Sequence, residues 1–262
     1  MEEPRYLLDN AQPEAAERFD ALSELFNPAT FATFERLGVG PGTSVWEVGA
    51  GGPSVARWLA ERTGGSVLAT DLDTRWLDHD ASYAVLEHDI ATDPPPRGGF
   101  DVVHARLVLV HVADRAKAIS TMVEALNPGG WLFLEEADPG LQPLACPDGE
   151  GEAEVLANRL KAGFRALMAE RGVDLAFGRT LPRLLRQAGL TDVCAQGAFP
   201  LGGPSCDALE RATTLQIRQQ LLEAGLATEE EIAAHLANVD RGTMDLCTSP
   251  MISAWGRHPG LG

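Results

Sequence analysis

The segment VWEVGAGGPS, residues 45–54, decides the fold, because it predicts a buried strand that ends in a glycine-rich turn and leads into a helix. Apart from its acid, VWEV suits a strand interior. Glycines at positions 49, 51 and 52 permit a backbone approach that a side chain would block. Pro53 suits the first position of a helix, whose N-terminal amides then point back at the turn. This geometry favours a nucleotide-like ligand.

The sequence of the turn argues against two kinds of phosphate-binding turn. A dinucleotide fingerprint requires glycine where the chain has Ser54, and a P-loop requires a Gly-Lys-Ser/Thr ending that is absent. Glu47 lies two residues before the first glycine, where a carboxylate repels a pyrophosphate and attracts a cation. The turn therefore favours a ligand with an ammonium or sulfonium group.

Two later strands also end in acids. The segment SVLATDLD places Asp71 twenty residues beyond Gly51, where a carboxylate accepts both hydroxyls of a ribose. The segment AVLEHDI ends in Asp89 and Ile90, a polar acceptor followed by an apolar surface for an adenine. A solvated aspartate at a strand end is the common alternative for each acid alone. Recurrence at three successive strand ends favours a ligand site.

Together these segments resemble class I S-adenosylmethionine-dependent methyltransferases, in the small-molecule group similar to the enzymes of ubiquinone and menaquinone biosynthesis. The resemblance covers about residues 6–200 and the last strand. It departs from the family at Pro53, where a third glycine is usual. The motifs that carry it are EVGAG from Glu47 to Gly51, Asp71, the pair Asp89 and Ile90, FDVVHARLVLVHV from Phe100, and NPGGWLFLEEAD from Asn127.

The resemblance implies S-adenosylmethionine as the cofactor and a set of residues that bind it. Arg106, after the fourth strand, is expected to hold the cofactor's carboxylate or a substrate acid, with an ion pair to Glu47 or Asp71 as the alternative. Tyr6 is a further candidate contact. The implied binding residues are Glu47, Gly49, Ala50, Gly51, Asp71, Leu72, Asp89, Ile90 and Arg106.

Methyl transfer from a sulfonium depends on alignment, and a base helps only when the acceptor must lose a proton. His111, just after the fourth strand, is the first catalytic candidate, and a hydrogen-bonded histidine at a helix start is the alternative. Glu136 is the second, in an acidic group with Glu135 and Asp138 of which one is expected to face the pocket. Solvated acids at a strand end are the alternative there. His104 is expected to be structural.

The order of elements predicts an α/β fold, with a doubly wound, mostly parallel seven-stranded sheet of the Rossmann-like methyltransferase type and helical lid insertions. Strands are expected at 101–104 and 131–134, with a helix between them that begins after Asp114. A strand over 192–201 and a final strand in PMISAW form an antiparallel edge, by the resemblance.

The predicted domain organisation is an N-terminal helical cap, residues 1–40, followed by a methyltransferase core, residues 41–262. The cap is expected to contain two helices that break at Asn27 and Pro28. By the resemblance, helical lid segments over the substrate lie at about 146–175 and 204–246. The alternative is that these helices only cover the sheet.

The composition of the chain limits the classes of binding partner that we expect. The 262 residues carry a formal net charge of −17, which argues against nucleic acid and anionic membranes. No apolar run has the length of a membrane span and the first residues lack a signal sequence, so we expect a cytoplasmic protein. The four cysteines form no C-x-x-C pair, and no metal site is expected. A homodimer is left open.

We therefore expect a methyltransferase that acts on a small-molecule substrate, with oxygen methylation favoured. One alternative keeps the fold and cofactor for decarboxylation, hydroxylation, cyclisation or aminopropyl transfer. Another is a nicotinamide-dependent oxidoreductase, against which Ser54, Glu47 and the lack of a Tyr-x-x-x-Lys pair all count. A protein that binds the cofactor without catalysis is the third.

Overall fold

The computed structural model describes residues 7–8, 14–79 and 82–260, and the chain divides into two compact units. We call them the sheet unit and the helical unit. The sheet unit contains Pro28–Glu136, Phe177–Gly197 and Ile252–Gly262. The helical unit contains Met1–Asn27, Ala137–Ala176 and Ala198–Met251. Tyr6, a candidate cofactor contact, lies outside the described residues.

A seven-stranded sheet forms the centre of the sheet unit, in the order β3-β2-β1-β4-β5-β7-β6. β1 pairs in parallel with β2 and β4, β2 with β3, and β4 with β5. The mostly parallel seven-stranded sheet predicted from the sequence is therefore confirmed. The strands are β1 Val45–Val48, β2 Val67–Asp71, β3 Ala84–Glu87, β4 Phe100–Arg106, β5 Leu126–Ala137, β6 Thr191–Ala198 and β7 Met251–Arg257.

The last strand runs opposite to its neighbour. Backbone hydrogen bonds join Gly129 N to His258 O at 3.0 Å and His258 N to Gly130 O at 2.8 Å at one end of β5. At its other end Asp138 N donates to Pro250 O at 2.8 Å. Residue numbers rise along β5 while they fall along β7, so the pair is antiparallel. This agrees with the predicted antiparallel edge.

Helices cover both faces of the sheet, as a doubly wound fold requires. On one face, α3 (Arg115–Glu124) and α5 (Leu181–Gln187) pack Met122 and Leu185 into a core that includes Trp46. On the other face, α2 (Pro53–Thr63) and the second half of α1 (Glu14–Arg36) pack Leu59 and Phe34 against Phe133. Each core buries its large side chains almost completely.

The helical unit is built from α4 (Glu152–Glu170), α6 (Pro204–Glu223) and α7 (Glu229–Asp240), which share an apolar core. The helices predicted at about 146–175 and 204–246 are therefore present, and their role as a lid stays a prediction. Thr228 and Glu231 form the capping box predicted at the start of α7. None of the helices among the described residues combines the length and hydrophobicity needed to cross a bilayer.

The break predicted at Asn27 and Pro28 is wrong, because α1 continues through Pro28. Proline removes one hydrogen bond from a helix interior and strains the preceding turn. Packing fixes the later turns instead, with Phe31 stacked on Trp58 at 4.4 Å between ring centroids and Phe34 buried. The boundary between the two units falls inside this helix, after Asn27, whereas the sequence placed the domain boundary after residue 40.

Candidate functional site

The glycine turn follows β1 as predicted. Gly49 and Gly51 have φ angles of +61° and +63°, which side-chain-bearing residues rarely adopt. A Cβ atom on Gly49 would lie 2.4 Å from Cγ2 of Val108, so the turn also needs glycine there for space. No described side chain caps the following helix, which begins at Pro53 after Gly52. The first amides of α2 therefore suit an anionic group or a dipole of a ligand.

Asp71 joins the end of β2 to this turn. Its Oδ2 accepts a hydrogen bond from Gly51 N at 2.8 Å, and its Oδ1 accepts one from Asp73 N at 3.0 Å. Burial raises the pKa of the Asp71 carboxyl above its usual value, although these backbone hydrogen bonds oppose the rise. Leu72 is 67% exposed beside it. The carboxylate of Asp71 thus lies against the glycine turn, and contacts of Asp71 and Leu72 with a cofactor stay predictions.

Asp89 and Ile90 follow β3. Oδ1 of Asp89 accepts a hydrogen bond from Ala91 N at 2.8 Å, and its Oδ2 accepts one from Thr92 Oγ1 at 3.1 Å. The carboxylate therefore closes a local turn. Ile90 is buried in the core on one face of the sheet. Contacts of either residue with an adenine stay a prediction.

Glu47 belongs to a buried charge network. Its Oε2 lies 2.6 Å from Nδ1 of His104, whose Nε2 lies 3.2 Å from Oε2 of Glu135. Burial opposes a charged imidazole, but the two carboxylates outweigh it and raise the pKa of His104 to about 9. The cation that Glu47 meets within the protein is therefore His104. The structural role predicted for His104 agrees with this arrangement, and a direct contact between Glu47 and a cofactor stays a prediction.

The same network extends to α1, β7 and Arg106. Oε2 of Glu135 accepts a hydrogen bond from Thr30 Oγ1 at 2.6 Å, and its Oε1 accepts one from Ser253 Oγ at 2.5 Å. Nη1 of Arg106 donates to Thr30 Oγ1 at 3.2 Å. Burial raises the pKa of Glu135, but His104 and Arg106 outweigh it and leave that pKa below its usual value. Arg106 thus acts electrostatically on Glu135, whereas the predicted ion-pair partners were Glu47 and Asp71.

The two predicted catalytic residues lie in different environments. His111 is exposed at the end of a short 3-10 helix, Leu109–His111. Glu136 is 1% exposed, and its Oε1 accepts hydrogen bonds from three successive amides that follow β4. Burial raises the pKa of the Glu136 carboxyl to about 8, against the opposing effects of these amides and of Arg115. These contacts favour a role for Glu136 in holding the backbone.

Four residues around the site were not anticipated from the sequence: Thr30, Val108, Arg115 and Ser253. Thr30 and Ser253 reach the site from helices and strands remote in the chain, and no local pattern marks them. Arg115 was recognisable only as the residue after the helix cap Asp114. Leu107 has a left-handed backbone, with a φ angle of +60°, and this conformation turns Val108 towards Gly49. It was not predictable from the sequence, because leucine rarely adopts a positive φ angle.

In the part of the chain that the structure describes, side chains that could hold a metal ion are not grouped and the cysteines are not paired. Among residues 7–8, 14–79 and 82–260, no three His, Cys, Asp or Glu side chains are arranged to hold a metal ion. The thiols of Cys146, Cys206 and Cys247 are buried and free, and that of Cys194 is exposed and free. Burial raises the pKa of Cys146 to about 12, so this thiol stays protonated near neutral pH.

Comparison with known proteins assigns a family. A model described as "Methyltransferase domain" matches residues 10–195. The chain is 30% identical over 166 residues to methyltransferase str3 of Strobilurus tenacellus, covering 60% of this chain and 57% of that protein. It is 27% identical over 153 residues to a ubiquinone biosynthesis O-methyltransferase of Leptothrix cholodnii, covering 48% and 64%. The chain thus spans about three fifths of the length of these two curated relatives.

A solved structure shares the fold. Phosphoethanolamine N-methyltransferase 2 of Haemonchus contortus, in complex with phosphomonomethylethanolamine and S-adenosylhomocysteine, matches with a TM-score of 0.56 and 17% identity. The match covers 97% of this chain and 60% of that one. The seven-stranded sheet, the glycine turn and the matched family model agree with one another. The chain belongs to the methyltransferase domain family, whose methyl donor is S-adenosylmethionine.

Proposed function

We propose that this protein transfers the methyl group of S-adenosylmethionine to an oxygen atom of a small-molecule metabolite. The observation that carries the proposal is the hydrogen bond of 2.8 Å from Gly51 N to Oδ2 of Asp71. It fixes a carboxylate against a turn in which Gly49 and Gly51 have positive φ angles. A ligand that combines hydroxyl groups with a cation suits this pair of features.

The residues present fit the adenosyl part of the cofactor. The carboxylate of Asp71 has acceptor capacity beyond its hydrogen bonds from Gly51 N and Asp73 N, so in the proposal the ribose hydroxyls donate to it. The exposed side chain of Leu72 offers an apolar surface for the adenine, with Ile90 and Asp89 at the next strand end. Ala50 and the two glycines form the backbone of the turn beneath.

Two charged residues are assigned to the methionine part. Arg106 pairs with a carboxylate in the proposal, because it carries a guanidinium at the carboxyl end of β4. Glu47 lies two residues before Gly49, and its Oε2 is 2.6 Å from Nδ1 of His104. In the proposal this carboxylate attracts the ammonium or the sulfonium of the ligand.

The chemistry places modest demands on the protein. When bound, S-adenosylmethionine supplies a methyl group already activated by its positive sulfur. Alignment of the acceptor with that methyl group then provides most of the rate acceleration. A hydroxyl acceptor must also lose a proton. His111 is the proposed base because its imidazole is exposed at the end of the turn after β4, and histidine is the side chain that most often serves as a general base.

The preference for oxygen and for a small acceptor rests on two supports. One curated relative is, by its name, an O-methyltransferase of ubiquinone biosynthesis. The formal net charge of −17 disfavours nucleic acid as the acceptor. Four free thiols are typical of a reducing compartment, so we place the reaction in the cytoplasm. Whether the protein works as a homodimer is a question for light scattering.

The proposal is tested in two steps. Calorimetry with S-adenosylmethionine, S-adenosylhomocysteine and NADH as separate ligands comes first, and binding of the first two with no binding of NADH is expected. Binding of NADH alone would overturn the proposal. The second step supplies S-adenosylmethionine with a ¹³C-methyl group and a panel of phenols, alcohols, amines and carboxylic acids, and identifies the labelled atom by NMR. Label on nitrogen or carbon, or cofactor turnover without a methylated product, would contradict oxygen methylation.

A further inference from the structure

The turn after β4, residues 107–112, is held by two side chains that come from different elements. Oε1 of Glu136 accepts hydrogen bonds from the amides of Val108 at 3.0 Å, Leu109 at 2.6 Å and Val110 at 3.4 Å. Three successive amides that converge on one oxygen form a concave site for an acceptor. Glu136 at the end of β5 thus satisfies backbone donors that no strand or helix pairs.

Arg115 holds the carbonyl groups of the same turn. Its Nε donates to Leu109 O at 3.1 Å and its Nη2 to Val110 O at 3.4 Å. The guanidinium lies 4.1 Å from the ring centroid of Phe177, which fixes its plane. The amides and the carbonyls of the turn are therefore held by two different side chains.

The turn is strained where it begins. Leu107 has a φ angle of +60°, a conformation that costs free energy for any residue with a Cβ atom. Such strain persists only when surrounding contacts over-determine the backbone. Here the contacts are those of Glu136 and Arg115, together with the hydrogen bond from Leu107 N to Glu135 O at 2.9 Å.

The strained backbone directs Val108 onto the glycine turn. A Cβ atom built on Gly49 would lie 2.4 Å from Cγ2 of Val108, so this side chain occupies the space directly over the Gly49 backbone. A shift of the turn after β4 would move Val108 and open or close that space. The shape of the proposed cofactor site therefore depends on residues that line neither the glycine turn nor Asp71.

We propose that Glu136 and Arg115 are positioning residues, which hold the strained turn so that Val108 forms a wall of the site beside Gly49. The proposal deepens the proposed function and rests on it for its meaning in catalysis. The contacts of Glu136 and Arg115 with residues 107–112, which we call the clamp, belong to the free protein and are testable without any ligand.

Two features separate this role from proton transfer by Glu136. Its Oε1 is used by the three amides, and its Oε2 is buried with no hydrogen-bond partner among the described residues. An acid that exchanges a proton with an acceptor needs access to it. Glutamine reproduces the accepting oxygen and removes the titration, so Glu136→Gln distinguishes the two roles.

The first test measures hydrogen exchange of the amides of Val108, Leu109 and Val110 in the free protein. In Glu136→Ala these amides lose their acceptor, and we expect exchange to accelerate by about tenfold or more. In Glu136→Gln exchange stays within about threefold of the wild type, because the side-chain carbonyl still accepts. Glu124→Gln, which removes an exposed acid on α3, is the charge-matched control.

Unchanged exchange in Glu136→Ala would overturn the clamp, and so would acceleration in Glu136→Gln equal to that in Glu136→Ala. Arg115→Lys is the second variant, should Glu136→Ala fail to fold. It keeps the charge and removes the two-pronged contact, so we expect about threefold faster exchange across residues 109–112. No change at those amides would remove Arg115 from the proposal.

The second test measures the affinity for S-adenosylhomocysteine by calorimetry. We expect about tenfold weaker binding in Glu136→Ala and near wild-type binding in Glu136→Gln. Wild-type affinity in Glu136→Ala, with its turn shown to be loosened by exchange, would overturn the link to the cofactor site. A wild-type protein that binds no S-adenosylhomocysteine but shows the expected exchange pattern would instead contradict the proposed function and leave the clamp intact.

A pH profile supplies a third readout. The pKa of Glu136 is raised to about 8, and the charged group that acts on it is Arg115. Ionisation above that pH changes how tightly the carboxyl holds the three amides. We expect the exchange protection of these amides, corrected for intrinsic rates, to change near pH 8 in the wild type and to stay flat in Glu136→Gln. An equal change in protection near pH 8 in the wild type and in Glu136→Gln would show that Glu136 does not cause it.

Discussion

Nδ1 of His104 lies 2.6 Å from Oε2 of Glu47, and both side chains are buried on neighbouring strands in direct register. The ring also reaches Glu135, so one imidazolium neutralises part of the charge of two carboxylates. A buried acid of this kind is costly unless it is paired and hydrogen-bonded. The pair therefore explains how the sheet carries a buried glutamate two residues before Gly49.

Replacing His104 by leucine is expected to lower the free energy of unfolding by about 3–5 kcal/mol, because the two carboxylates are left without their buried cation. Urea denaturation followed by circular dichroism measures the loss. His79→Ala, at an exposed histidine, is the control and should change stability by less than about 0.5 kcal/mol. A His104→Leu protein as stable as the wild type would show that the network does not stabilise the fold.

The stability should also depend on pH through the same ring. The pKa of His104 is raised to about 9 in the folded protein from 6.5, so the folded state binds the proton more tightly than the unfolded state. The resulting stabilisation is complete below pH 6.5 and is lost as the pH rises through about 9, amounting to about 3 kcal/mol. Denaturation at intervals from pH 6 to 10 measures it. In His104→Leu this part of the decline should be missing.

Substitution of Gly49 by alanine should be destabilising for two separable reasons. The new Cβ would overlap Cγ2 of Val108, and the φ angle of +61° disfavours any side chain. We expect a loss of about 1–3 kcal/mol, typical of overpacking. Adding Val108→Ala should recover the steric part and leave about 1 kcal/mol of backbone strain. A double-mutant cycle with no coupling energy would contradict the contact.

Much of the sheet was predictable from local patterns. Apolar runs that end in acids and glycines mark the first three strands, and the capping box at Thr228 marks the start of α7. The continuity of α1 through Pro28 was not predictable, because long-range packing of Phe31 on Trp58 overrides a local preference. Local sequence patterns thus predicted that a strand or helix is present more reliably than they predicted where it ends.

The pairing of polar side chains required information that a single strand does not contain. His104 and Arg106 are two residues apart and share a face, and they lie in register with Glu47 and Glu135 respectively. Strand order and register together predict this cluster, but neither follows from spacing along the chain. For the same reason Glu136 was identified as an acid at a strand end, whereas its contact with the next turn was not.

The capping box at the start of α7 is expected to contribute to the free energy of unfolding. Thr228 Oγ1 accepts a hydrogen bond from Glu231 N at 3.2 Å, and Glu231 Oε2 accepts one from Thr228 N at 2.9 Å. Thr228→Ala should lower the free energy of unfolding by about 1 kcal/mol, while Thr228→Ser should retain it. Equal stability of the two variants in urea denaturation would show that the hydroxyl is not used.

Asp71 is the residue on which cofactor affinity should depend most. In Asp71→Asn the side chain keeps only one acceptor atom, so either the Gly51 amide or one ribose hydroxyl loses its partner. We expect the affinity for S-adenosylhomocysteine to fall at least about tenfold, because a buried donor left unpaired costs about 1–3 kcal/mol. Calorimetry measures it, with Asp78→Asn as a charge-matched control at a side chain that pairs with Arg57. Wild-type affinity in a folded Asp71→Asn protein would remove Asp71 from the binding site.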